Sequence, residues 1–169
     1  MLCFKTISPE GLADNPFHLL QGDWALLTAG DTAEDYNTMT VSWGGVGVLW
    51  NKNVVTVYVR PQRYTYEFME RREHFTLSFF ESEWKKALSY CGAHSGRDVS
   101  KAKECGLTPV LLDGGVSFQE ARLVLSCKKL YYSDIEPSHL LDPSLDRVNY
   151  PNKDYHRMYI GEILNAYQK

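Results

Sequence analysis

The chain has 169 residues, a formal charge of -3 and 13% aromatic content. That length buries a core without disulfide or metal staples and suggests one domain, residues 1–169, while the evenly mixed charge predicts no general nucleic-acid binder and leaves room only for a local basic patch. The N-terminus MLCFKTISPEG lacks the apolar run of a secretory leader and no segment approaches membrane-spanning length, so a soluble cytoplasmic protein with no membrane contact is expected.

Taken in order, the predicted elements are mostly strands of period two. Trp24 to Ala29 is a continuous apolar strand. Thr38 to Trp43 alternates, with Met39, Val41 and Trp43 on one face and Thr38, Thr40 and Ser42 on the other. The following glycines, in WGGVGV, do not match G-x-G-x-x-G and read as a twist, a bulge or a close backbone approach. Val54 to Arg60 alternates Val55, Val57 and Val59 against Thr56, Tyr58 and Arg60. A helix over 65–72 follows, with Thr65 as its N-cap. His74 to Phe80 is a strand with Phe75, Leu77 and Phe79 on one side. A helix over 83–91 carries an apolar stripe of Trp84, Ala87, Leu88 and Cys91, capped by Ser82. A third helix, 98–105, has an Asp98 cap and Gly106 as its stop. Arg122 to Tyr132 is a strand long enough to bend or bulge. Residues 133–155 are irregular, and Met158 to Tyr167 is the last strand. Six strands with short helices predict a mainly β protein, a closed or nearly closed antiparallel barrel.

Two stretches suit an anion. RPQRYT puts Arg60 and Arg63 within reach of one group, beside the Thr65 hydroxyl and the free N–H groups of a helix start. GAHSGRDVSK places Ser95, Gly96 and backbone N–H groups in a turn, with Lys101 able to reach over it. Each stretch also fits an ordinary exposed turn. The match of Ser82 and Lys85 to S-x-x-K is weak, since Ser82 serves as a cap. The histidines have no metal-ligand spacing, and no metal is expected. The four cysteines, Cys3, Cys91, Cys105 and Cys127, form no C-x-x-C and read as mostly buried apolar residues in a reducing compartment.

Four stretches together, NTMTVSW, RPQRYT, SGRDVSK and HRMYIGEI, resemble the flavin reductase-like family of FMN-binding split barrels, which includes flavoredoxins. The likeness runs from about Trp24 to Tyr167. It implies a six-stranded antiparallel Greek-key split barrel and a homodimer with FMN at the interface. It implies that Asn37, Thr38, Met39, Thr40, Val41, Ser42 and Trp43 lie along the flavin ring and ribityl chain. Arg60, Arg63, Tyr64 and Thr65 would sit near the phosphate, Ser95, Gly96 and Lys101 would complete the site, and His156 would stand close to the ring where a donor approaches. Larger members continue past the last strand, so a chain ending at Lys169 predicts a more open flavin. Two activities follow from the resemblance: NAD(P)H-dependent reduction of flavin, with an oxygenase component as a possible recipient, or a flavoredoxin-like carrier fed by a redox protein partner.

Overall fold

The alternating stretches pair into one antiparallel sheet in the computed structural model, which describes residues 4–169. In chain order come β1 (Lys5–Ile7), β2 (Ala25–Gly30), β3 (Tyr36–Val41), β4 (Gly44–Leu49), β5 (Lys52–Val59) and helix α1 (Tyr64–Arg71). Then follow β6 (His74–Phe79), α2 (Lys85–Ala93), α3 (Lys101–Cys105), the hairpin of β7 (Pro109–Leu112) and β8 (Gly115–Phe118), β9 (Leu123–Asp134), α4 (Pro143–Asn149) and β10 (Arg157–Gln168). None of the described helices is long and apolar enough to cross a membrane.

The ladder runs β3-β2-β6-β9-β10-β5-β4, and β1 joins the far end of β10 to make eight strands. The expected six are all present, but the count of six and a fully paired barrel are corrected. The pattern hid β4 because glycines occupy 44, 45 and 47, and β1 is only three residues long. No ladder joins β3 to β4 among the described residues. Yet only Ser42 and Trp43 separate these two end strands, a link of at most about 11 Å. A flat run of seven strands would hold its edges about 29 Å apart. The sheet is therefore rolled on itself, with an unpaired seam between β3 and β4.

The rolled interior is filled as the alternation predicts. Val55, Val57 and Val59 of β5, Phe75, Leu77 and Phe79 of β6, and Leu123, Leu125 and Cys127 of β9 all face one buried cluster. Each large side chain there contributes about 1.5–3 kcal/mol. β10 keeps its parity with a bulge. The register slips between Ile163 and Asn165, so Ile163 and Ala166 both reach the interior although three positions apart. The outer face of β6 is polar and small: Thr76 Oγ1 donates to the Val116 carbonyl at 2.6 Å and Ser78 Oγ meets Ser117 Oγ at 2.9 Å. A second cluster, with Leu88, Cys91 and Phe118, seats α2, α3 and the β7–β8 hairpin on that side.

α1 starts earlier than its expected cap suggests, and α2 and α3 start later. Arg63, not Thr65, holds the N-cap position of α1, and Thr65 is buried in its first turn. A single 3-10 turn, Ser82–Trp84, precedes α2, so Ser82 does not cap it. The amides of Asp98 and Val99 bond the Ser95 carbonyl in a turn, and α3 begins only at Lys101. Gly106 ends α3 in the left-handed conformation, φ 68°, as expected. The irregular segment contains α4, where Asp142 caps the Ser144 amide at 2.8 Å. Cys91 and Cys127 are buried and Cys105 is half-buried; Cys3 lies outside the described residues.

Candidate functional site

The seam is where the surface is hollow. Three adjoining recesses follow it. The first, about 510 Å³, lies between Phe17, Leu20, Trp43, Gly45, Val46 and Tyr58. The second, about 190 Å³, is bounded by Met39, Thr40, Val41, Ser42, Trp43, Tyr58, Arg60, Arg63 and His156. The third, about 350 Å³, is lined by Met39, Arg60, Arg63, Tyr64, Thr65, His94, Ser95, Lys101 and Asp154. Neighbouring recesses share walls: Ser42, Trp43 and Tyr58 for the first pair, Met39, Arg60 and Arg63 for the second. The result is one groove, apolar at one end and cationic at the other.

The cationic end is built around a buried lysine. Lys101 opens α3 and is 6% exposed; its Nζ donates to the carbonyls of Thr38 at 2.8 Å and Cys91 at 2.9 Å. An ammonium has three hydrogens, so one is left over. Burial, reinforced by the Arg63 charge, pushes its pKa down to about 8. Arg63 donates Nη1 to the Gly92 carbonyl at 2.8 Å. Among the described residues neither cation has a carboxylate within ion-pair distance, although five other arginines do.

Arg60 is one of those five. Its Nη1 stands 2.6 Å from Asp154 Oδ2, its Nη2 donates to the Asn149 carbonyl at 2.8 Å, and its guanidinium lies over the Tyr150 ring. Gln62 donates to the same Asp154 oxygen, while Asp154 Oδ1 is buried with no hydrogen-bond partner. Three cations against one carboxylate leave this recess with two net positive charges. A phosphate monoester, near -2 at neutral pH, has the matching charge.

His156 occupies the middle of the groove. It is 8% exposed, its Nδ1 pairs with the Tyr150 hydroxyl at 2.9 Å, and Trp43 tilts over it at 5.2 Å. Burial first, then the Arg60 charge, pushes its pKa down to about 4, so the imidazole is neutral at pH 7.

The hydroxyl row of β3 is arranged differently from the sequence expectation. Thr38 is buried, and its Oγ1 meets Thr28 Oγ1 at 2.9 Å. The Thr40 hydroxyl donates to the Leu88 carbonyl of α2. Asn37 Nδ2 donates to Thr65 Oγ1 at 2.7 Å, and Gly96 packs so closely that a Cβ there would stand 1.9 Å from Asn37 Oδ1. Asn37, Thr38 and Gly96 thus border a further hollow behind β3 that meets the groove at Lys101, whereas Met39 to Trp43, Arg60, Arg63, Tyr64, Thr65, Ser95 and His156 come together in the groove itself. Ser95 Oγ also accepts from the Arg97 amide at 3.1 Å. The sequence pattern did not reveal Tyr150 or Asp154. Both lie in the segment without periodicity, and contacts with Arg60, Gln62 and His156, which the pattern does not encode, bring them to the groove.

A model of the flavin reductase like domain matches residues 18–169, and the chain belongs to that family. Its fold is shared with an FMN-binding protein from Thermus thermophilus solved with bound 1-cyclohex-2-enone (19% identity, 97% of this chain and 80% of that one, TM-score 0.68). It is shared with the flavoredoxin of Desulfovibrio vulgaris Miyazaki F (22% identity, 98% and 76%, TM-score 0.68). It also resembles the NADH:FAD oxidoreductase SgcE6 of Streptomyces globisporus C-1027 (17% identity, 87% and 75%, TM-score 0.65). Comparison with curated proteins returns no match.

Proposed function

We propose that the seam groove holds FMN and that the protein reduces this flavin with NAD(P)H. The observation that carries the proposal is the pair of cations, Lys101 and Arg63, held without carboxylate partners beside Ser95 and Thr65. A buried charge of this kind is costly unless an anion meets it. In this reading Lys101, Arg63, Ser95 and the first N–H groups of α1 hold the phosphate. Asp154 Oδ1, which lacks a donor, accepts from a hydroxyl of the polyol chain. The residues Met39 to Trp43, with Tyr58 and His156, flank the ring system. A bound flavin supplies reversible two-electron acceptance; the protein orients it and sets its surroundings. His156, uncharged and fixed by Tyr150, shapes the donor side without adding a positive charge.

The same reading includes a homodimer. Phe17 is 81% exposed, Trp43 48% and Trp50 57%, and all three lie on or near the seam strands or their recess. β3 and β4 present unpaired edges there. A second copy covering this flank would complete the groove with FMN at the interface. The recipient of the electrons would be free flavin, an oxygenase component or a redox protein.

The test is one cuvette: protein mixed with FMN, desalted, then given NADH or NADPH without oxygen. Retained absorption that bleaches quickly supports a flavin reductase. Retained absorption that stays yellow removes the nicotinamide step and favours the flavoredoxin-like carrier, suggested by the half-exposed Trp43 beside the groove. Loss of all colour on desalting, with no FMN-dependent oxidation of NAD(P)H, refutes the proposal.

A further inference from the structure

Beneath the cationic recess lie two thiols that the flavin reading does not use. Cys91 on α2 and Cys105 at the end of α3 stand with their sulfurs 3.9 Å apart and 14 positions apart in the chain. The chain between them is the anion loop itself, carrying His94, Ser95 and Lys101. The Cys91 carbonyl is also one of the two groups that hold Lys101 Nζ. We propose that Cys91 and Cys105 are a modification site, a dithiol that a hydroperoxide converts to a disulfide stapling the base of the anion loop. The effect on flavin rests on the function proposed above; the staple itself does not.

The step balances with hydrogen peroxide as oxidant. Cys105 is half-buried and therefore the reachable sulfur. It attacks the O–O bond, one oxygen leaves as water, and Cys105 becomes a sulfenic acid. The Cys91 thiol then displaces the second oxygen as water. Two thiols and one peroxide give one disulfide and two waters. A small-molecule thiol reverses it by exchange. Burial holds both thiols protonated, Cys91 up to about 12, so the pair is slow to react at neutral pH and faster as pH rises. Reduced flavin that meets dioxygen yields hydroperoxide, so the oxidant is a product of the proposed reaction when its electrons go astray.

A disulfide needs sulfurs about 2.05 Å apart, so the thiols must close by about 2 Å. That movement pulls the end of α3 toward α2 and shifts Lys101, its first residue, against the Cys91 carbonyl. Weaker phosphate binding follows.

The experiment treats reduced full-length protein with hydrogen peroxide, blocks remaining thiols and maps tryptic peptides. The expected product joins Ala87–Arg97 to Glu104–Arg122, disappears with dithiothreitol and is absent in Cys105→Ser. Closing a loop of about 15 residues should raise Tm by roughly 6–12 °C. FMN affinity should fall by about tenfold, the loss of one charge-assisted contact. Oxidation of Cys105 to sulfinic acid with no linked peptide overturns the staple. A linked peptide with unchanged FMN affinity overturns its control of the site. If reduced protein binds no FMN at all, the functional proposal fails while the linked peptide and the Tm shift still decide the staple.

Discussion

Lys101→Met separates a lysine that serves the fold from one that serves a ligand. In the described structure the ammonium sits about 2.5 pKa units below its ordinary value. At about 1.4 kcal/mol per unit, holding it charged costs about 3 kcal/mol. The sign is definite. Between about pH 8 and 10.5 the unfolded chain binds more protons than the folded one, so stability from this group rises with pH through that window; below pH 8 the full cost is present. Methionine fills the same volume and removes the cost, leaving the Thr38 and Cys91 carbonyls short of a donor at about 1–3 kcal/mol each. Apo stability should therefore change little. FMN affinity should fall by roughly 10- to 150-fold, the range for a hydrogen bond to a charged group, while riboflavin affinity holds. Quenching of flavin fluorescence measures both. An anion raises the lysine pKa, so wild-type FMN binding takes up a proton and weakens above about pH 8, whereas the methionine variant shows no such slope. Equal losses for FMN and riboflavin, or identical pH profiles in the two proteins, would refute the reasoning.

Four further outcomes are expected. Arg63→Ala should weaken FMN by about 1–3 kcal/mol and riboflavin much less, whereas Arg60→Ala, which unties Asp154 and Asn149, should weaken both alike, read by the same titrations. Gly96→Ala puts a methyl 1.9 Å from Asn37 Oδ1, breaks the bond to Thr65 and lowers Tm by several degrees in calorimetry. His156→Asn should lower kcat/KM for NADH by more than it weakens FMN binding, and the wild-type pH profile should show no inflection near 6.5 from this imidazole, whose pKa burial pushes down to about 4. Gly161→Ala meets the Phe75 ring at 2.6 Å and should cost about 1–3 kcal/mol by urea unfolding with an unchanged m-value.

The interior strands were legible because burial on one face forces period two: Val55, Val57 and Val59 read correctly, as did Phe75, Leu77 and Phe79. β4 was not, since glycines leave no pattern of apolar side chains to follow. The hydroxyl face of β3 was recognised as a face, but alternation cannot say what covers it. α2 does, and its Leu88 carbonyl takes the Thr40 proton. The two arginines of RPQRYT looked equivalent. They differ because Asp154, 94 positions beyond Arg60, neutralises one and not the other. Lys101 was picked out as a site residue, though as a lysine reaching over a loop rather than one enclosed between two backbone carbonyls.

The placement of the groove follows from the sheet. Within the ladders the backbone groups are paired and a ligand finds no free N–H or C=O. The ends of the main ladder, β3 and β4, leave such groups open, and rolling the sheet brings those ends together at Ser42 and Trp43. The chain then turns back through β4, and the end of β5 delivers Arg60 and then Arg63 to the same place. Arg60 in turn grips Asp154 and Asn149 and so draws Tyr150 and His156 over the groove. Three groups here lack a full complement of partners: Asp154 Oδ1 is buried without a donor, and the packing would hold the guanidinium of Arg63 and the ammonium of Lys101 more cheaply as apolar groups. Where local rules are broken without a compensating contact inside the protein, the compensation lies outside it. In the function proposed above, that compensation is an anion carrying two negative charges on a chain of hydrogen-bond donors.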